Sequence, residues 1–286
     1  MISVVVPAHD ESGVILRCLR TLLADAGPDE FDVVVVANGC TDDTAALARS
    51  VGAPVRVVEE PVGDKVNALN VGDQHAREFP RIYLDADVEL PTATARSLAA
   101  ALRGGPALAA GARPRLQGGR GPRILRWHHE AWSRLPVLQR AYLGSGVYAV
   151  SEEGHRRISP FPPIVADDEY VRRRFREAER VCVAEGFDVH LPRTVQAYVR
   201  RAVRARRGNA DISAAVVDIA PDDVPRGVRP VLGLLRDPRS WHRVASFVLL
   251  TVVVRIAVAR DAGPRTTWHR DTTSRQPADH PVSRCA

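Results

Sequence analysis

The alternation of short β-branched runs with amphipathic helical patterns, from Ile2 to Leu84, restricts the fold of this chain more than any other feature. Ile2-Ser3-Val4-Val5-Val6-Pro7 is a buried-strand pattern closed by a proline, and Phe31 to Ala37, Val55 to Val58 and Arg81 to Leu84 repeat the theme. Between these runs, Glu11 and Ser12 open a helical stretch with Val14, Ile15, Cys18, Leu19, Leu22 and Leu23 on one face. Thr41-Asp42-Asp43-Thr44 supplies N-cap residues and first-turn acids to a second helix, and Val66 to Ala76 forms a third. Such alternation implies right-handed crossovers, and so a mostly parallel sheet with helices on both faces. Ligands of such sheets bind beyond the carboxyl ends of the strands.

The unusual polar residues fall at those ends: His9-Asp10-Glu11, Asn38-Gly39-Cys40 and Asp85-Ala86-Asp87. Extended backbone would aim Asp85 and Asp87 at one spot. Two carboxylates about 4 Å apart repel by roughly 4 kcal/mol at an effective dielectric of about 20, a cost that a divalent cation between them removes. Each cluster has a plainer reading. Asp10 and Glu11 suit a helix cap, Asn38-Gly39 suits a turn with positive φ, and Lys65 suits a solvated helix start. Their joint placement on one rim favours a shared site, and Lys65 stands out as the one lysine among 40 basic residues.

After Leu90 the pattern loosens. Pro91 to Arg103 reads as a helix, and Gly111 to Arg123, rich in Gly, Arg and Pro without periodicity, as a mobile loop. Leu125 to Gln139 carries Trp127, His128, His129, Glu130 and Trp132. Consecutive residues splay around a helix, so the His-His-Glu triplet suits packing or an acceptor pocket better than one metal ion. Gly144 to Val150 is a strand whose opening glycines signal a close approach by backbone or ligand. Asp167-Asp168-Glu169 forms a second acidic cluster ahead of a helix over Tyr170 to Ala178, and Arg200 to Arg207 is a dense basic run. Its readings are a solvated helix face, a pyrophosphate or anionic-acceptor contact, or a headgroup surface.

Hydrophobic content of 45% and charged content of 26% describe a globular chain, and the net charge of +6 favours anionic ligands or membrane surfaces. Cys18, Cys40, Cys182 and Cys285 form no metal or disulfide pattern, and with no signal-peptide pattern after Met1 a cytoplasmic location is expected, at the inner face of the cell membrane if the chain is anchored. Aromatic residues make up only 5% and do not interleave with the arginine run, which argues against a nucleic-acid platform. Val244 to Ala259 is apolar except for Ser246, Thr251 and Arg255, and suits an interfacial helix or a packing helix better than a span.

Read together, these motifs resemble the family 2 glycosyltransferases of the GT-A fold. Pro7-Ala8-His9-Asp10-Glu11 is similar to the family's PxxNE start, with Asp10 in place of Asn. Ala37 to Thr44 resembles DDGSxDxT, keeping Gly39, Asp42 and Thr44; Lys65 to Gly72 matches KxxALNxG; Asp85-Ala86-Asp87 matches DxD. Asp167-Asp168 with Val171 and Arg174 is similar to EDxxLxxR, so the likeness covers about residues 1 to 180.

The resemblance implies an α/β fold: a Rossmann-like, mostly parallel sheet flanked by helices, with a C-terminal helical extension. Residues 1–110 would be the nucleotide-sugar-binding half and 111–209 the acceptor-binding half of the same domain. Beyond the resemblance, composition makes 210–261 a helical extension, with 244–259 either in peripheral membrane contact or packed on the domain, and makes 262–286, polar and proline-containing, a disordered tail. Pro7, His9, Glu11, Asn38, Lys65, Asn70, Asp85 and Ala86 would line the donor site. Asp87, with Asp85, would hold Mg²⁺ or Mn²⁺ against the diphosphate. Asp168 would be the general base for an inverting attack by an acceptor hydroxyl, lipid-linked, saccharide or small-molecule, and Asp167 would share that contact. Arg204 and Arg207 are weaker candidates for the diphosphate. Asn38 stands where the family has Asp, which leaves UDP favoured without deciding against other bases. The competing readings are a sugar nucleotidyltransferase, whose glycine-rich opening loop Pro7 to Gly13 lacks, and an inactive nucleotide-sugar or basic nucleic-acid binder.

Overall fold

The structure, a computed structural model, describes residues 1–117, 121–135, 143–164, 166–215 and 237–260. The first half forms β1 (Ile2–Ala8), α1 (Ile15–Leu23), β2 (Phe31–Asn38), α2 (Thr44–Arg49), β3 (Val55–Glu60), α3 (Lys65–His75) and β4 (Arg81–Leu84). Strands β3, β2, β1 and β4 lie side by side and parallel, as alternation requires. The residues of β1, β2 and β4 are buried on both faces, and those of the edge strand β3 only in part: Val4 and Val6 pack with Ile15 and Leu19 of α1, whereas Val5 turns to Leu69 of α3. Helix α3 can lie this close to β1 only because position 72 is glycine, where an added Cβ would stand 2.3 Å from a Val5 methyl.

The second half adds β5 (Val88–Glu89), α4 (Thr92–Leu102), β6 (Ala109–Gln117), α5 (Arg123–Trp132), β7 (Val147–Val150), α6 (Glu152–Ile158), α7 (Asp167–Arg174), β8 (Arg180–His190), α8 (Val195–Ala215) and α9 (Trp241–Arg260). The sheet order is β3-β2-β1-β4-β7-β6-β8-β5, with β7 antiparallel to β4 and β6, and β6 parallel to β8.

Several sequence expectations are corrected here. Residues 111–117, expected to form a mobile loop, lie in β6, and Arg123 begins α5. Ala109 to Ala112 are buried, whereas Arg113, Arg115 and Gln117 face solvent, so the strand changes environment midway and shows no single period. Its partner β8 gives no warning in the sequence either, because Glu185-Gly186 interrupts the apolar pattern where the ladder shifts register. The helix expected over Tyr170 to Ala178 runs instead from Asp167 to Arg174. Asp43, at the N-cap of α2, makes no side-chain cap; Asp42 accepts from the Thr44 N–H at 3.0 Å in its place. Residues 118–120, 136–142, 216–236 and the expected tail over 262–286 lie outside the described residues.

Helices α5, α8 and α9 pack together beside the sheet. His128 stacks on Phe247 at 5.0 Å and shares a hydrogen bond of 2.6 Å between its Nε2 and the Tyr198 hydroxyl. Burial lowers the pKa of His128 to about 3 and that of His129 to about 4, so both are neutral packing groups at physiological pH.

Candidate active site

The acidic segment after β4 is a turn. Asp85 N–H donates to the Gly146 carbonyl at 2.8 Å, and Val88 N–H donates back to the Asp85 carbonyl at 3.1 Å. Extended alternation therefore does not place Asp85 and Asp87. The turn tucks Ala86 into the core at 3% exposure and leaves Asp85 and Asp87 half-buried. Gly146 has φ +85°, and a Cβ there would stand 2.9 Å from Asp85 Oδ2, which explains the glycines read at the start of β7. Burial, followed by the charges of Asp87 and Asp85, pushes up the thiol of Cys18 on α1, so both carboxylates act on one buried point. Immediately after the turn, Val88 and Glu89 pair with Val189 and Asp188. That register brings His190 alongside Asp87, with its Nε2 on Glu89.

Lys65 joins the two acidic clusters. It opens α3, where Asp64 caps the helix by accepting from Val66 N–H at 2.8 Å and Asn67 N–H at 3.1 Å. Its Nζ lies 2.7 Å from Asp85 Oδ1 and 2.7 Å from Asp167 Oδ1. Burial opposes its charge, but the Asp167 and Asp85 carboxylates outweigh burial and raise its pKa above the ordinary lysine value. Asp85 shows the mirror image. Burial would raise its pKa; the Lys65 ammonium, aided by the charges of Arg201 and Arg204 on α8, holds it below the ordinary value.

Asp167 and Asp168 stand in the first turn of α7. Asp167 is buried and also accepts from the Tyr148 hydroxyl at 3.3 Å. Asp168 accepts from the backbone N–H of Ser145 at 3.2 Å and of Glu169 at 2.8 Å. Burial, then the adjacent Asp167 charge, lifts its pKa to about 6. The loop leading to α7 is pinned by Asn70, whose amide donates to the Phe161 carbonyl at 3.1 Å and accepts from the Phe161 N–H at 2.8 Å.

The remaining expected donor-site residues are not gathered equally. Pro7, His9, Glu11 and Asn38 cluster at the ends of β1 and β2: His9 Nδ1 meets the Asn38 carbonyl at 2.6 Å, and Glu11 N–H donates to Thr44 Oγ1 at 2.6 Å. Asn38 is fully buried, its amide donating to the Ala8 carbonyl at 2.8 Å, so it braces the rim rather than facing outward. The Asn70 side chain is committed to Phe161, and Ala86 is buried in the core. Arg204, like Arg201, adds positive charge that lowers the Asp85 pKa. Arg201 and His190 escaped the sequence reading. Arg201 is one arginine among several in a run, and His190 reaches the turn only through the β5–β8 pairing.

The mostly parallel sheet flanked by helices has the GT-A fold, and the acidic turn after β4 and the lysine-bridged carboxylates lie on it. Residues 3–152, just over half of the chain, match the family described as Glycosyl transferase family 2, and the chain belongs to that family. It is 35% identical over 91 residues to a 4,4'-diaponeurosporenoate glycosyltransferase of Staphylococcus aureus, a match that spans 30% of this chain and 24% of that protein. Among solved structures it is similar to a mannosyltransferase of Pyrobaculum calidifontis in complex with GDP-Man and Mn²⁺, with TM-score 0.59, 18% identity, and coverage of 92% of this chain and 76% of the other. It is also similar to glucosyl-3-phosphoglycerate synthase of Mycobacterium tuberculosis with Mn²⁺, UDP-glucose and phosphoglyceric acid, with TM-score 0.53, 21% identity, and coverage of 78% and 81%. The family match favours the glycosyltransferase reading over the nucleotidyltransferase and non-enzyme ones.

Proposed function

We propose that this chain transfers a sugar from a nucleotide-diphosphate donor, a UDP-sugar, to an acceptor hydroxyl with inversion at the anomeric carbon. We read 1–110 as the donor half and 111–209 as the acceptor half. The observation that carries the proposal is Lys65 Nζ at 2.7 Å from both Asp85 and Asp167, which joins the acidic turn to the segment that holds Asp168. The donor set suits a hard divalent cation: Asp85, Asp87, Asp167 and Asp168 outnumber Lys65, and after burial it is the charges of Asp87 and Asp85 that raise the Cys18 thiol and the charge of Asp167 that raises the Asp168 carboxyl. Asp87 and Asp85 would hold Mg²⁺ or Mn²⁺, with His190 as a nitrogen donor beside them whose other ring nitrogen is oriented by Glu89. When bound, the ion would neutralise charge on the diphosphate leaving group.

The chain's own groups do the rest. Asp168 takes the proton from the acceptor hydroxyl as its oxygen forms the new bond to the anomeric carbon, and the electrons of the broken carbon–oxygen bond leave with the diphosphate. A base with a pKa of about 6 is mostly ionised at neutral pH and still basic enough to share the proton in the transition state. Arg201 and Arg204 face the departing charge, and Lys65 moves between its carboxylates and the phosphate oxygens.

Thermal melting with UDP-glucose, UDP-N-acetylglucosamine and GDP-mannose, each with and without Mn²⁺, tests the reading. A UDP-sugar should raise the melting temperature only with metal, and Asp87→Ala should abolish the shift. A shift that survives in that variant would remove Asp87 as a ligand, and stabilisation by the GDP-sugar alone would overturn the choice of base.

A further inference from the structure

Helix α9 shows two unlike faces. Val244, Phe247, Leu250 and Val254 are buried against α5 and α8, whereas Leu249, Val252, Val253 and Ile256 are 37–53% exposed on the other side. With exposed Trp241 and Ala245 at the start, the outward residues recur every three or four positions and form one stripe about 22 Å long at 1.5 Å per residue. Singly exposed apolar residues are ordinary; a continuous stripe of branched side chains is not.

Asp237 is exposed just before the helix, but the helix itself carries positive charge alone. Arg239, Arg255 and Arg260 are exposed along the stripe, and Trp241–Arg260 contains no Asp or Glu. Arg206 of α8 has its pKa lowered by burial and then by the charge of Arg255, so positive charge is already crowded at this edge. We propose that the exposed face of α9 docks the protein on an anionic lipid bilayer, with Leu249, Val252, Val253 and Ile256 in the acyl boundary and Arg239, Arg255 and Arg260 on the headgroups.

Two other occupants fit less well. A second copy docked on the same stripe would bring the same arginines to the seam, with no carboxylate on α9 to meet them. A full crossing is open to Pro238–Arg260 by length and composition, but it would strip Val244, Phe247, Leu250 and Val254 from their partners and break the His128–Phe247 stack. Lying in the interface keeps that packing and covers the outer face. The proposal is independent of which sugar the site transfers.

Co-sedimentation of the full chain with vesicles of phosphatidylcholine alone, or of phosphatidylcholine with phosphatidylglycerol, tests the proposal. The anionic vesicles should bind more tightly by roughly fivefold per contacting arginine, and high salt should release the protein. Replacing Leu249, Val253 and Ile256 together with Gln should weaken binding by about tenfold or more while leaving thermal melting unchanged, because these side chains contact solvent in the free protein. Arg255→Gln with Arg260→Gln should erase the preference for anionic lipid. Undiminished binding by the triple variant would overturn the proposal. So would failure to sediment with anionic vesicles, release by detergent only, or a dimer in sedimentation velocity that the triple variant dissolves.

Discussion

Asp167 and Asp168 are adjacent in sequence and differ in every contact that matters. Asp167 takes the Lys65 ammonium and the Tyr148 hydroxyl, whereas Asp168 has the N–H groups of Ser145 and Glu169 and the Asp167 charge beside it. Replacing Asp168 with Asn should therefore lower kcat by roughly 10²- to 10⁴-fold while donor binding changes little, as isothermal titration with a UDP-sugar and Mn²⁺ would show. The same raised pKa has a stability consequence. An acid whose folded-state pKa is about 6 against an ordinary 3.8 favours the fold below pH 4 and loses that contribution as pH rises through 6. Asp168→Asn should thus stabilise the protein at pH 7 by roughly 1–3 kcal/mol in denaturant titration, with the gain vanishing below pH 4. The kcat/KM of the wild type should fall on the acid side with an apparent pKa of about 6.

Lys65 carries the opposite risk. Lys65→Ala leaves Asp85 and the buried Asp167 without their shared cation, and should cost about 2–4 kcal/mol at neutral pH, less than for a fully buried pair because Asp85 is a third exposed. The Asp85 pKa is depressed by Lys65, so that cost should shrink as pH falls below the ordinary carboxylate value of 3.8 and Asp85 takes up a proton. A cost that stays flat with pH would mean that Lys65 acts through packing alone. The lysine was conspicuous in the sequence for its rarity, and the first residues of α3 were readable as a helix start; its pairing with Asp167, far along the chain, was not.

At the level of elements, three long-range ties set the site. Gly146 lets β7 press against the turn at Asp85, Asn70 fastens the loop before α7 to α3, and β5 pairs with the end of β8. Gly146→Ala would place a methyl 2.9 Å from Asp85 Oδ2 in a backbone with φ +85°, at about 1–3 kcal/mol of strain. The expected result is a displaced Asp85 and a metal-dependent donor affinity reduced by about tenfold or more, with the helical content in circular dichroism preserved. Donor affinity equal to wild type would show that the turn does not depend on this contact. The glycines of β7 were legible as a sign of close approach, but the approaching group was not, because β7 meets β4 only once the antiparallel strand is added to the sheet.

For the whole molecule, the two halves meet through charge. The acidic cluster rests on α3, β4 and α7, and the arginines that act on Asp85 come from α8, which also packs against α9. Arg201→Gln should raise KM for the donor by roughly tenfold with little change in melting temperature, the loss of one charge-assisted contact to phosphate. An unchanged KM would assign Arg201 to packing among α5, α8 and α9 instead.

What the sequence determined by itself was the parallel first half, because fully buried strands and amphipathic helices write their periods directly into residue type, and with it the motifs at the strand ends. Local chemistry also announced the acids, the lone lysine and the arginine run. Only the tertiary structure decided how they combine. It made the DxD segment a turn instead of an extension, set Ala86 in the core and Asn70 on Phe161, buried Asn38, and brought Lys65, Asp85 and Asp167 to contact. It also drew β6 and β8 out of segments without a period. The physical reason is one of range: hydrophobic period and capping act over a few neighbouring residues, whereas a salt bridge across more than a hundred residues forms only when packing has already closed the chain on itself.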